Sequence, residues 1–124
     1  MRVGILGAGG MGVVFLARDT RNGKAYYDIH SLLREAAVDM VVVCLPTHVH
    51  AEAVVAAAES GRHILCEKPL TLSLADADRM VAAVLRAGVT AMVAQVVRFM
   101  PYYRLIKSYY DRGDLGRPLL AEAI

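Results

Sequence analysis

A glycine-rich turn near the start of the chain sets the strongest limit on its fold. Residues 3–6 (Val-Gly-Ile-Leu) form a short apolar run, followed at once by Gly7-Ala8-Gly9-Gly10-Met11-Gly12, a G-x-G-x-x-G pattern. The run reads as a buried parallel strand, and residues 10–18 can form a helix beyond the turn. Glycines placed this way allow a tight turn, let backbone N–H groups approach a pyrophosphate, and bring helix and strand close together. The helix N-terminus adds unpaired N–H groups and a partial positive charge. The same stretch has the outline of an export signal, because Arg2 precedes an apolar segment reaching Ala17. Its glycines argue against that: each costs ~1 kcal/mol relative to alanine in a helix.

Strands and helices alternate after the turn. Asn22-Gly23 marks a turn in a polar stretch, and residues 25–27 read as a brief strand. Ile29, Leu32, Leu33 and Ala36 recur at helical spacing. Residues 40–45 (Met-Val-Val-Val-Cys-Leu) are the clearest strand, stopped by Pro46. A helix over 49–60 ends at Gly61, where a left-handed residue is needed, and 63–66 is the next strand. Ser73 with Asp76 resembles a capping box and opens a helix whose Leu74, Ala77, Val81, Val84 and Leu85 share a face, ended by Gly88. A further strand falls within 90–97. An amphipathic helix over 101–111 places Tyr102, Leu105, Ile106 and Tyr109 on one side, and a trailing strand begins at Pro118.

This order predicts an α/β fold, a doubly wound parallel sheet with helices on both faces. A chain of 124 residues has room for one compact domain and hardly two. An apolar share of 56% supports a core and excludes a disordered chain. Fourteen basic against twelve acidic residues, mixed along the sequence, leave no electrostatic footprint for nucleic acid. The spacing of Tyr102-Tyr103-Arg104, Lys107 and Tyr109-Tyr110 fits a helix packing on the domain instead. No apolar run approaches the ~18 residues of a membrane span. Cys44 and Cys66 lie inside apolar runs, which fits buried thiols in a reducing cytoplasm better than a disulfide framework.

Two constellations could carry chemistry. Cys44-Leu45-Pro46-Thr47-His48-Val49-His50 lies at the carboxyl end of the best strand, the edge that faces the ligand crevice in a doubly wound sheet. Pro46 turns the chain away, Thr47 can cap the next helix, and His50 lies in its first turn. His48 and His50 have no acidic or cysteine partner at ligand spacing, so no metal is expected. Glu67-Lys68-Pro69 follows the next strand. There Lys68 can place an ammonium near a substrate hydroxyl, polarising its oxygen during hydride transfer or serving acid–base work. Glu67 can hydrogen-bond ribose hydroxyls. The tripeptide by itself fits an exposed pair at a turn equally well.

The chain as a whole resembles the amino-terminal part of the glucose–fructose oxidoreductase, inositol dehydrogenase and rhizopine-catabolism (Gfo/Idh/MocA) family. The resemblance rests on the segment from Val3 to Gly12, on Tyr27-Asp28-Ile29-His30-Ser31-Leu32-Leu33, and on Val38 through His50. It continues through Gly61 to Leu70, Arg98-Phe99-Met100-Pro101 and Gly113-Asp114-Leu115-Gly116. It implies a Rossmann domain binding NAD or NADP. On that resemblance Gly7, Gly9 and Gly12 hold the pyrophosphate, Leu45, Pro46, Thr47 and His50 line the dinucleotide site, and Lys68 sits between nicotinamide and substrate as the catalytic residue. Ala8, Gly10 and Met11 of the same turn, and Glu67, Lys68 and Pro69, are expected to complete the cofactor-binding set. Family substrates are sugars, polyols and their relatives.

Two departures from the family pattern stand out. Between the glycine-loop helix and the segment starting at Tyr27, the family has a second strand and a further helix; only a dozen or so polar residues fill that interval here. One βα unit looks excised, the strand at 25–27 is expected to dock directly beside the first, and weaker cofactor affinity should follow. Asp28 lies about 20 residues past the glycine loop, where the dinucleotide fingerprint expects its acid, yet it aligns as the N-cap of the next helix. Asp19 and Arg21 gain no support from spacing. The second departure is at the end: residues 1–117 read as the shortened cofactor domain, and 118–124 as the first strand of an otherwise missing substrate domain. That implies a chain not competent in catalysis alone. It also implies an exposed strand through which a homo-oligomer forms; a non-catalytic dinucleotide-binding or accessory module is the alternative reading.

Overall fold

Short apolar runs, alternating in burial, build the centre of the molecule. The computed structural model describes residues 1–7, 17–19, 24–26, 28–120 and 122. Its strands are β1 (Val3–Leu6), β2 (Ala17–Asp19), β3 (Ala25–Tyr26), β4 (Met40–Val43), β5 (His63–Cys66) and β6 (Ala91–Val93). Its helices are α1 (Ile29–Glu35), α2 (His50–Glu59), α3 (Leu74–Ala87) and α4 (Pro101–Asp111). The chain divides into two units, Met1–Ala94 and Gln95–Ile124. The first holds one six-stranded sheet in the order β3-β2-β1-β4-β5-β6.

From β1 to β6 the sheet is parallel, as the apolar character of β4 and β5 predicts. Leu6 lies opposite Val43, and Val43 opposite Cys66. Gly4, Leu6, Val41, Val43, Ile64 and Cys66 are buried, and the residues between them are half-buried or exposed. Among the described residues α1, α2 and α3 form one layer: α2 packs on β4, β5 and α3, while α1 packs on β2, β3 and α2. Alanines make this close approach possible, since Ala51, Ala53, Ala57 and Ala58 of α2 are buried.

The left side of the sheet differs from the expectation. Ala17 and Arg18, expected in a helix, belong to β2, which runs antiparallel to β1; residues 10–16 of that expected helix lie outside the described residues. β3 therefore docks on β2, again antiparallel, and not on β1. Residues 7–16 between β1 and β2 fall short of the dozen or more that a parallel crossover takes, so β2 returns antiparallel, and once it holds the edge of β1 the next strand can pair only with β2. Asn22-Gly23, the turn signal of the sequence, falls between the two strands, and its own structure lies outside the described residues.

Caps set the helix ends. Asp28 accepts from Ser31 N at α1, and Ser73 Oγ accepts from Asp76 N at α3. The Ser73 hydroxyl in turn donates to the Asp76 carboxylate (2.9 Å), so the reciprocal arm of the box falls on the hydroxyl and not on the serine amide. Gly88 ends α3 in the left-handed region at φ 65°. The fully buried residues of α3 are Met80 and Ala83; of the face Leu74, Ala77, Val81, Val84 and Leu85, Ala77 and Val84 are half-buried, with Val84 against the core, while Val81 and Leu85 are exposed and line an open apolar groove of about 200 Å³ together with Met92 and Val93.

In the second unit, a 3-10 turn at Val96–Phe99 leads to α4, which has proline in its first turn. The expected trailing strand does not form in its described part: residues 118–120 and 122 are irregular. A strand needs a ladder partner for its backbone groups, and the described residues offer none here. Among them, too, no helix is long and apolar enough to cross a membrane.

Candidate functional site

The carboxyl ends of the parallel strands lie flush, and the hydrogen-bond ladder runs one residue past each. Cys44 N donates to Leu6 O (2.8 Å), Glu67 N to Val43 O (2.9 Å) and Ala94 N to Cys66 O (2.8 Å). Three turns thus leave the sheet side by side: Gly7 after β1, residues 44–47 after β4, and residues 67–70 after β5. Crevices outside such carboxyl ends are where open α/β sheets bind ligands.

Gly7 is required for the first of these turns. Its φ is 95°, and a Cβ there would stand 2.4 Å from Cys44 O. No side chain tolerates both constraints, so the main chain of the β1 turn passes directly against that of the β4 turn. Ala8, Gly9, Gly10, Met11 and Gly12 lie outside the described residues. In the second turn Pro46 leads into a 3-10 turn, Thr47–Val49. Thr47 does not cap α2 as expected; it sits inside this turn, and the residue preceding α2, Val49, makes no capping bond.

His50 joins the second turn to the third. It is 1% exposed, its Nε2 lies 2.7 Å from Leu45 O, and its Nδ1 lies 3.1 Å from Pro69 O and 3.2 Å from Leu70 O. Carbonyl oxygens only accept, so the contact that is a hydrogen bond is the one made by the ring nitrogen that carries the N–H. The imidazole therefore lies behind the site and ties its loops together. Sequence spacing placed His50 in the first turn of its helix; nothing local announced a partner nineteen residues on.

Glu67 folds back on its own turn, its Oε2 accepting from Lys68 N (3.0 Å). Lys68 and Pro69 are exposed. The structure thus gathers Gly7, Leu45, Pro46, Thr47, Glu67, Lys68 and Pro69 at one sheet edge, with His50 beneath them. The thiols near this edge are packing groups. Burial pushes the half-buried Cys44 thiol up, with the Glu67 charge adding to it. Burial takes Cys66 up to about 11, helped by Cys44 and Glu67. Neither is poised as a thiolate nucleophile.

Comparison with known proteins decides the family. The oxidoreductase family with an NAD-binding Rossmann fold, Gfo/Idh/MocA, matches residues 14–95. The chain belongs to that family. This Gfo/Idh/MocA chain is 32% identical to the myo-inositol 2-dehydrogenase of Thermotoga maritima, over 95% of its own length and 43% of the relative's. That comparison spans 143 aligned positions, more than the 124 residues of this chain, so the relative carries residues inside the aligned stretch that this chain lacks. An NAD-binding oxidoreductase from Klebsiella pneumoniae superposes with a TM-score of 0.70 at 40% identity, over 77% of this chain and 26% of that one. The WlbA dehydrogenase of Bordetella pertussis, solved with NADH and UDP-GlcNAcA, superposes at 0.71 with 30% identity, over 73% and 28%. The Gfo/Idh/MocA chain thus spans less than half the length of each of these proteins.

The Cβ that Gly7 lacks would meet Cys44 O, so this glycine packs the β1 turn on the β4 turn. What a dinucleotide has to fit among the described residues is the row of turns at the strand ends, the edge along which open α/β sheets take a ligand.

Proposed function

We propose that this chain is the cofactor-binding domain of an NAD(P)-dependent oxidoreductase acting on the carbinol or carbonyl carbon of a polyol or sugar. The observation that carries this reading is the flush edge, where Gly7, residues 45–47 and residues 67–69 converge. When bound, the nicotinamide supplies the hydride acceptor or donor. The chain's own residues do the rest. Gly7 and the turn it opens offer backbone to the diphosphate, and Leu45, Pro46 and Thr47 border the nicotinamide side. Lys68, exposed on a turn that His50 holds, is the group suited to hold a proton at the substrate oxygen. Glu67 positions Lys68 through its bond to the Lys68 amide.

The myo-inositol 2-dehydrogenase relative is more than twice as long as this chain, and we assign the far wall of the substrate pocket to the part of such relatives that has no counterpart in these 124 residues. The chain alone therefore binds a dinucleotide without sustained turnover. Calorimetric titration with NADH and NADPH tests the first statement: saturable binding tighter than about 1 mM is expected, and none from either dinucleotide would refute the cofactor role. Incubation with NAD and a panel of polyols tests the second. Lys68→Met should leave dinucleotide affinity within about twofold, because an ammonium aimed at substrate adds little to cofactor binding.

A further inference from the structure

We propose that this chain recognises the nicotinamide–ribose–diphosphate part of its cofactor and not the adenosine part, so that NAD and NADP are equivalent to it and the purine is exchangeable. The proposal rests on the reading above that the dinucleotide lies along the edge marked by Gly7, residues 45–47 and residues 67–69. In a sheet of this order, the ribose of the adenosine lies at the end of the strand next to β1, on the side away from β4. A carboxylate there takes the 2′-hydroxyl. For its last residue to reach that edge, the strand must run parallel to β1.

Here it runs the other way. Ala17, the first residue of β2, lies opposite Leu6, and Asp19, the last, lies opposite Gly4. The strand starts at the ligand edge and carries its acid away from it, by two residues or ~7 Å of strand rise. β3 brings the chain back with Tyr26 opposite Ala17, but that side chain is buried in the core at 4% exposure. Asp28 comes next and sits at the sequence distance where a ribose acid is expected. Its Oδ1 accepts from Ser31 N (2.8 Å) and its Oδ2 from Ser31 Oγ (2.7 Å), so both oxygens serve the start of α1. Among the described acidic residues on this side, Asp19 ends its strand away from the ligand edge and Asp28 caps a helix. The nicotinamide side keeps its parallel strands and all three turns.

Titration of the chain with NADH, NADPH and reduced nicotinamide guanine dinucleotide tests this, because all three keep the diphosphate and differ only beyond it. Dissociation constants within about threefold of one another are expected; a preference of tenfold or more for NADH over either of the others would overturn the proposal, over NADPH because a site built to bond the 2′-hydroxyl discriminates far more strongly than that, and over the guanine dinucleotide because it would show contacts to the purine. Asp19→Asn and Asp28→Asn supply the second arm, and asparagine preserves the N-cap at 28. Both variants should keep the NADH constant within about twofold, whereas a tenfold loss for NADH with a gain for NADPH in either would assign ribose recognition to that carboxylate. If none of the three dinucleotides binds, the cofactor reading falls and this proposal with it. Binding of all three with unequal constants defeats the proposal alone.

Discussion

The two sides of β1 solve the same problem differently. On the right, β4 and β5 follow it in parallel, each entering from a helix, and their turns meet at one edge. On the left, a short antiparallel hairpin of three and two residues covers β1. Both sides satisfy the edge of β1, yet only the right side delivers strand ends to the crevice. Strand order and strand direction are thus separate inheritances. The order β3-β2-β1-β4-β5-β6 is the order of the doubly wound dinucleotide fold, and the reversed direction of β2 removes one end of what that order normally builds.

The sharpest way to break this comparison is at Gly7, where the right side begins. Gly7→Ala adds a Cβ at a φ that only glycine adopts freely and against main chain that has no room to yield. Backbone strain and overpacking together are expected to cost about 3 kcal/mol or more, read as the loss in denaturant-unfolding free energy. A near-neutral result would mean that β1 and β4 are not in register as described.

Next in size is His50→Leu. The apolar side chain fills much of the space but removes the ring's polar contact with the loop carbonyls around it, an expected loss of about 1–3 kcal/mol. Amide hydrogen exchange over residues 67–70 should accelerate with it, while exchange in β2 and β3 stays unchanged. His50→Gln and His50→Asn sharpen the test, since the side-chain amide of each returns N–H donors and should recover part of the loss. Equal acceleration on both sides of the sheet would show that the ring holds the whole core and not the two turns. A smaller effect, about 1 kcal/mol, is expected for Ser73→Ala at the cap of α3.

What was legible in the sequence follows the same division. Parallel strands buried on a helix layer leave apolar runs with β-branched residues, so β4 and β5 stand out. The turns after them could be placed because Pro46 and Pro69 punctuate them. Asp28 as a cap and Gly88 as a stop are local chemistry, carried by residues three or four positions apart. β2 was missed because Ala17-Arg18-Asp19 has neither alternation nor bulk; its strand character comes from the free edge of β1, a tertiary cause. The work of His50 was hidden for a related reason, since its partners are main-chain carbonyls, and any residue can supply those. The shared face of α3 is buried only in part, because Val81 and Leu85 line a groove that stays open.

The smallest effect separates the two sides by pH. At the foot of the right side, Asp39 accepts from Arg2 N (2.6 Å) and from the Arg2 guanidinium (2.7 Å to Nη2), tying the start of β1 to that of β4. These bonds hold its carboxyl at about 2, against an ordinary 3.8. A lowered carboxyl stabilises the fold above its unfolded value, and the contribution fades as pH falls from about 4 toward 2. On the left, the bond to Glu35 raises Lys24, so the lysine's share of that pair is lost as pH rises beyond the ordinary lysine value. Both pairs face solvent and each is weak; both need a carboxylate, but only the left one also fails at high pH, because arginine keeps its charge. Thermal midpoints of Asp39→Asn and the parent should converge on acidification to pH 2.5, and those of Glu35→Gln and the parent should converge as well once pH passes the ordinary lysine value. Superimposable profiles for Asp39→Asn and the parent from pH 6 downward would show that the β1–β4 pair does not depend on this tie.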